Sequence, residues 1–203
     1  MCIRDSISCA SPSAPGETGS MPEDVIEHNI RGTAYLGQFS WDDADGAFSD
    51  ALSLRAEDPI LLNNLGVTRV QQNRLDEARE QFQAALRADP DFPWAHYNLG
   101  LMAKNEGNFE TAVTHFESVV AFDADDLETQ YNLGSALARV NRPEDAEAAF
   151  RSALEKNPIH VSTLYAFGQF LMQNGRQAEG VELIQRSEEI RTRYGGDLSL
   201  IHI

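Results

Sequence analysis

The chain is poor in several things at once. It holds two cysteines, Cys2 and Cys9, in 203 residues, so no disulfide framework can staple it. Cationic side chains are outnumbered, 16 Lys and Arg against 32 Asp and Glu, for a formal net charge of -16. An acidic surface repels phosphate, which argues against nucleic acid and an anionic bilayer surface as natural partners. No apolar run approaches the ~20 residues of a membrane span. Chemistry-bearing motifs are missing too. His28, His96, His115 and His160 stand at unrelated places, with no His-Glu-x-x-His or paired-cysteine spacing to hold a metal. There is no nucleophile elbow and no Gly-rich phosphate loop after a strand. Pairs of acidic residues gather at helix starts and repeat junctions, where capping and solvation explain them. A non-catalytic chain without metal, cofactor or small-molecule substrate is expected.

What the chain does have is a period. Gly32, Gly66, Gly100, Gly134 and Gly168 are spaced by 34 residues. A glycine inside a helix costs about 1 kcal/mol against alanine, so each needs a packing reason. The same interval carries Ala44, Ala78, Ala112 and Ala146, then Phe48, Phe82, Phe116 and Phe150, and Asn-Leu-Gly ends at Gly66, Gly100 and Gly134. With Pro59 as position 1, the repeats run 25–58, 59–92, 93–126, 127–160 and 161–192. Small or apolar residues at positions 4, 7, 8 and 11, and again at 20, 24, 27 and 28, have helical spacing twice over. The break falls at position 15, where Asn73, Gly107, Asn141 and Gly175 tolerate the left-handed conformation that ends a helix. Acidic residues and Pro143 then open the second helix.

This pattern resembles the tetratricopeptide repeat (TPR) over residues 25–192. The resemblance implies an all-α, right-handed superhelical solenoid of about five helix-turn-helix repeats. In that family the position 8 glycine and position 20 alanine let two helices approach, and the position 24 aromatic fills the gap to the next repeat; Gly66, Ala78 and Phe82 match. The ends depart from it. The first repeat has His28 and Arg31 at apolar positions and Phe39 at the turn, which predicts a first helix that is shifted, frayed or exposed. The last has Gly180, Ile184 and Ser187 at the alanine, aromatic and alanine positions, with a polar second helix suited to a capping repeat or to a face that meets a further domain.

The outermost residues read as foreign. Back-translating Met1–Ser6 as ATG TGT ATA AGA GAC AG gives, on the complementary strand, codons for Leu-Ser-Leu-Ile-His-Ile, the residues Leu198–Ile203. Both tails, 1–6 and 198–203, resemble a transposon-end adaptor of a sequencing library, which implies a natural protein longer on both sides. Removing them takes away Arg4 with Asp5 and leaves the charge at -16. Residues 7–24 have the Ser, Pro, Gly and Ala content of a disordered linker, and 193–197 reads as a frayed end. Ile7-Ser8-Cys9-Ala10 is similar to a bacterial lipoprotein junction, which implies a lipidated Cys9 and a membrane tether. A free thiol in a frayed tail is the other reading. The first points to the periplasm or outer membrane, the second leaves a cytoplasmic location open.

In TPR families the first helices form a concave wall that holds an extended peptide. By that resemblance Asn64, Asn98 and Asn132 at position 6, Tyr97, Tyr131 and Tyr165 at position 5, and Trp94 at position 2 are candidate peptide-binding residues. Amides match a peptide backbone, and large stiff aromatics make good anchors. Each has a competing structural role, in the repeat itself for the asparagines and in burial for the tyrosines. Asn29 and Asn63 stand where a carboxylate-clamp lysine would be needed, so that subclass is excluded; Lys104 and Arg139 are left to meet isolated acidic groups. The expected function is an interaction scaffold for a protein or peptide partner, with cell-envelope or pilus assembly as its setting. The alternative is the N-terminal interaction module of a larger secreted or catalytic protein.

Overall fold

The computed structural model describes residues 23–194. The adaptor-like tails, Cys9 and residues 7–22 of the linker lie outside the described residues, while Glu23 and Asp24 open the first helix. Ten helices follow one another: α1 (Glu23–Gly37), α2 (Trp41–Leu54), α3 (Pro59–Gln71), α4 (Leu75–Ala88), α5 (Pro93–Asn105), α6 (Phe109–Phe122), α7 (Leu127–Leu137), α8 (Pro143–Lys156), α9 (Val161–Gln173) and α10 (Gln177–Tyr194). No strand occurs among the described residues.

Turn chemistry sets the helix ends. Asn73, Asn141, Gly107 and Gly175 have φ of 61°, 58°, 81° and 81°. Just past each, an amide reaches back five residues to close the helix, as Arg74 N–H does to Arg69 O at 2.8 Å and Arg176 N–H to Leu171 O at 2.9 Å. Phe39 does the same work at φ 60°, with Ser40 N–H bonded to Tyr35 O at 3.0 Å. A bulky residue is a poor choice there. Its ring is 67 % exposed and meets only the edge of Trp41 among the aromatic rings, at 5.4 Å. Asp58 starts α3 by accepting from Ile60 N–H and Leu61 N–H ahead of Pro59, and Asp126 starts α7 through Thr129 N–H.

The chain divides into two compact units, 23–102 and 103–194, with the border inside α5. In the first unit, Phe48 is fully buried against the backbone at Gly32 and shares a core with Val25, Ala44, Ala51, Leu61 and Leu65. Phe82 repeats the arrangement: a methyl group built on Gly66 would lie 2.5 Å from its ring. The other side of Phe82 joins a cluster with Phe92, Ala95, Leu99 and Met102. The recurrent glycine therefore makes room for the recurrent ring of its own repeat, while that ring also packs toward the following helix. Burial of each such side chain stabilises the fold by roughly 1.5–3 kcal/mol. Fraying of the first repeat is not seen: α1 is continuous, and what is exposed is one side of it, through Ile26, Ile30 and Arg31.

In the second unit Phe150 lies on Gly134 and stacks with Phe167, centroids 5.4 Å apart. The last repeat lacks the aromatic, and α9 and α10 close the space themselves. A methyl group on Gly168 would sit 2.7 Å from Gly180 O, and one on Gly180 would sit 2.5 Å from Gly168 O. The Gly180 and Ile184 replacements thus form a matched set with Gly168.

An arginine clasp ties successive second helices and was not legible from the apolar period. Arg74 bonds Glu77 of its own helix at 2.6–2.8 Å and Asp45 of α2 at 3.0 Å. In the second unit Arg142 repeats this with Asp145 and Glu117, and Arg176 with Glu179 and Glu147. Hydrogen bonds from Arg74 hold the Glu77 carboxyl below its usual range.

Candidate functional site: the first-helix walls

Charge is segregated by helix. α3, α5 and α9 contain no acidic residue and α7 contains one, Glu128. The second helices open on acids, among them Asp42, Asp43, Asp76, Glu77, Glu110, Glu144, Asp145 and Glu179. In an acidic chain α3, α5 and α9 are thus neutral to weakly positive, whereas α1 keeps Glu23, Asp24 and Glu27 against Arg31.

In the first unit the asparagines form a relay. Asn98 Nδ2 donates to Asn63 Oδ1 at 2.9 Å, Asn63 Nδ2 to Asn64 Oδ1 at 3.5 Å, and Asn64 Nδ2 to Asn29 Oδ1 at 3.3 Å. The amides thus run from α5 through α3 to α1. All four are buried, Asn64 fully. Their first role is to join repeats, since a buried amide must be hydrogen-bonded. Position 6 looks back at position 5 of the preceding repeat, which gives Asn29 and Asn63 a structural part at the place where a clamp lysine would stand. Tyr97 is buried, and Trp94 is half-buried with its ring 5.0 Å from Phe92.

In the second unit Lys104, Tyr131 and Asn132 come together. Lys104 Nζ donates to Asn132 Oδ1 at 2.5 Å and stands 5.7 Å from the Tyr131 ring centroid. Burial pushes the ammonium below the usual lysine range, with the charge of Glu128 opposing. Burial also raises the Tyr131 phenol above its ordinary value, helped by Glu128 and opposed by Ser135. Glu128 itself pairs with His160, Oε1 to Nε2 at 3.3 Å, and the His160 ring meets Tyr131 edge-on at 5.8 Å. Thr163 Oγ1 holds the other ring nitrogen of His160 at 2.7 Å. Neither Glu128 nor His160 was marked by sequence reasoning; their position beside the repeat boundary concealed them. Tyr165 is exposed at 46 %. Arg139 lies over the Phe109 ring at 4.5 Å, away from that cluster's hydrogen bonds.

Elsewhere in this unit a wide open groove of about 1060 Å³ borders α10, lined by Ile159, Arg186, Glu188, Glu189, Ile190 and Arg193 among others. Its charges oppose one another, which gives it no selectivity for one sign. Among the described residues no group of three or more His, Cys, Asp or Glu is placed to hold a metal ion. No helix among them is long and apolar enough to cross a membrane.

Sequence models described as TPR repeat or tetratricopeptide repeat match residues 68–105, 95–126 and 131–194. The chain belongs to the tetratricopeptide repeat family. No curated protein matches it in sequence. Among solved structures, a MamA double mutant from strain RS-1 superposes with a TM-score of 0.78 at 18 % identity, covering 88 % of this chain and 100 % of that one. MamA from Desulfovibrio magneticus RS-1, residue 41 to the end, gives 0.77 at 18 % identity over 86 % and 98 %. YrrB, described as a TPR protein with an unusual peptide-binding site, gives 0.72 at 20 % identity over 89 % and 93 %. At these identities the likeness establishes the fold: an all-α TPR solenoid. The TPR fold is in general a non-catalytic protein–protein interaction scaffold, and this chain carries that scaffold.

Proposed function

We propose that this TPR chain holds an extended segment of a protein partner against its first helices. The observation that carries the reading is the segregation of charge: acidic residues crowd the second helices and are nearly absent from α3, α5, α7 and α9. A wall of amides and aromatics in an otherwise repellent surface suits a peptide, whose backbone repeats polar groups. Trp94 in the first unit and Tyr131 and Tyr165 in the second serve as anchors. Asn64, Asn98 and Asn132 support the wall from beneath, and their amides reach a ligand only where a repeat junction opens. The proposed site also includes Tyr97 and Arg139 as flanking contacts. YrrB's description as peptide-binding is consistent with this use of the fold.

The setting we propose is the bacterial cell envelope, including pilus assembly, with Cys9 lipidated and the following Ser- and Pro-rich residues as tether. Its support is the Ile7-Ser8-Cys9-Ala10 sequence. Mass spectrometry of the protein expressed with its natural upstream sequence tests it, and an unmodified Cys9 ends it.

A peptide array probed with the whole chain tests the wall. Trp94→Ala and Tyr165→Ala are expected to weaken captured peptides by roughly tenfold or more, while Glu182→Lys on α10 leaves them bound. Binding that ignores both wall variants and is lost with the α10 variant would overturn the reading.

A further inference from the structure

Resting on that reading, we infer that the second unit selects a segment carrying an acidic side chain, whose carboxylate seats on Lys104 between Tyr131 and Asn132. The geometry of the ammonium is the reason. It has three donors, of which one goes to the neutral Asn132 Oδ1 at 2.5 Å, and it faces an aromatic ring at 5.7 Å. The nearest acid, Glu128, acts on Lys104 through space while its carboxylate pairs with His160. A cation in a half-buried place whose direct contacts are neutral, and whose nearest acid is paired elsewhere, is poorly compensated. A carboxylate brought by a ligand supplies the missing charge, and it meets little repulsion because α7 and α9 contribute Glu128 as their one acid. Burial disfavours the charged form of Lys104 in the free protein, so the ligand's charge and the lysine's protonation reinforce each other.

A side chain within an extended segment, and not a chain terminus, is the source we commit to. The first helices continue on from Lys104 through α7 to the exposed Tyr165 on α9, so the segment runs past the lysine. Arg139 is engaged over Phe109 and is not the seat.

The test uses the whole chain and a library of twelve-residue peptides acetylated and amidated at their ends, so that every carboxylate is a side chain. Expected is enrichment of Asp or Glu at one fixed place among the bound peptides. Asp→Asn or Glu→Gln there should weaken the best binder roughly tenfold, and raising the salt should weaken the acidic peptide more than its amide twin. Lys104→Met should abolish that discrimination, so that acidic and amide peptides bind alike, whereas Lys104→Arg keeps most of it. Bound peptides without acidic enrichment, enrichment of basic residues, or discrimination that survives Lys104→Met would overturn the inference and leave peptide binding standing. The same peptides with free C-termini are screened beside the blocked set, and binding confined to the free-ended set would overturn the choice of a side chain. No bound member in either set overturns the wall reading itself, and this inference with it. Circular dichroism of each variant separates misfolding from loss of recognition, and a folded Lys104→Arg that loses the discrimination counts against the inference.

Discussion

Gly66→Ala and Gly46→Ala are the same chemical change in two helices, and the structure gives them opposite signs. Each gains about 1 kcal/mol of helix propensity. At Gly46 the new methyl meets nothing within 4 Å, so the gain survives and the protein is stabilised by roughly 0.5–1 kcal/mol. At Gly66 the methyl falls 2.5 Å from Phe82 Cε1 and 2.8 Å from Cδ1. That ring is fully buried among Leu62, Val67 and Phe92, so it cannot swing aside. Overpacking of this kind costs about 1–3 kcal/mol, so after the propensity gain of about 1 kcal/mol the net loss is about 0–2 kcal/mol. Urea unfolding followed by far-ultraviolet circular dichroism reads the difference, with hydrogen exchange in α3 and α4 reporting the local effect, because a repeat array need not unfold in one step. A double-mutant cycle with Phe82→Leu assigns the cause, since the smaller side chain should recover much of the loss and couple by about 1 kcal/mol. If Gly66→Ala stabilises as much as Gly46→Ala, the glycine–phenylalanine explanation of the period is wrong.

Asn64→Ala removes the middle of the amide relay and leaves buried partners in α1 and α3; a loss of about 1–3 kcal/mol is expected, and Asn29→Ala in that background should cost less than it does alone. Phe39→Asn relieves a bulky residue at φ 60° worth roughly 1–2 kcal/mol and gives up one edge contact with Trp41, so a net gain of ~0.5–1 kcal/mol should appear as a higher urea midpoint. The Tyr131 phenol is raised in the folded protein, so the unfolded chain releases this proton first. Its stabilisation is complete below the unfolded value near 10 and is lost as pH climbs through the folded one. Tyr131→Phe should flatten the fall in stability above pH ~10, and an ultraviolet titration should lose one late-ionising phenol in the variant.

Backbone-scale features were legible because they repeat. One glycine, one phenylalanine and one left-handed turn residue per period dictate a hairpin of helices, and Gly66, Phe82 and Asn73 are enough to derive it. Side-chain direction was not legible. Asn64 and Asn98 read from sequence either as ligand contacts or as parts of the repeat itself, and their amides turn toward Asn29 and Asn63, a direction fixed by how neighbouring helices pack and not by spacing along one of them. The Arg74, Arg142 and Arg176 clasps escaped notice because each joins residues 25 to 29 places apart across repeats, in a polar class where the period is loose. In the last repeat Gly180 departs from the alanine of the period, and the close approach of the Gly168 and Gly180 backbones, which only the structure shows, makes it a substitute for the missing aromatic.

Amide and methyl chemical shifts of the whole chain, followed while a peptide from the blocked-end library is added, test the central claim most directly. The account predicts shifts at Lys104, Tyr131, Asn132 and Tyr165 in the second unit, and at Trp94 for peptides held by the first. Shifts confined to α2, α4, α6, α8 and α10 would place the partner on the acidic helices and contradict it.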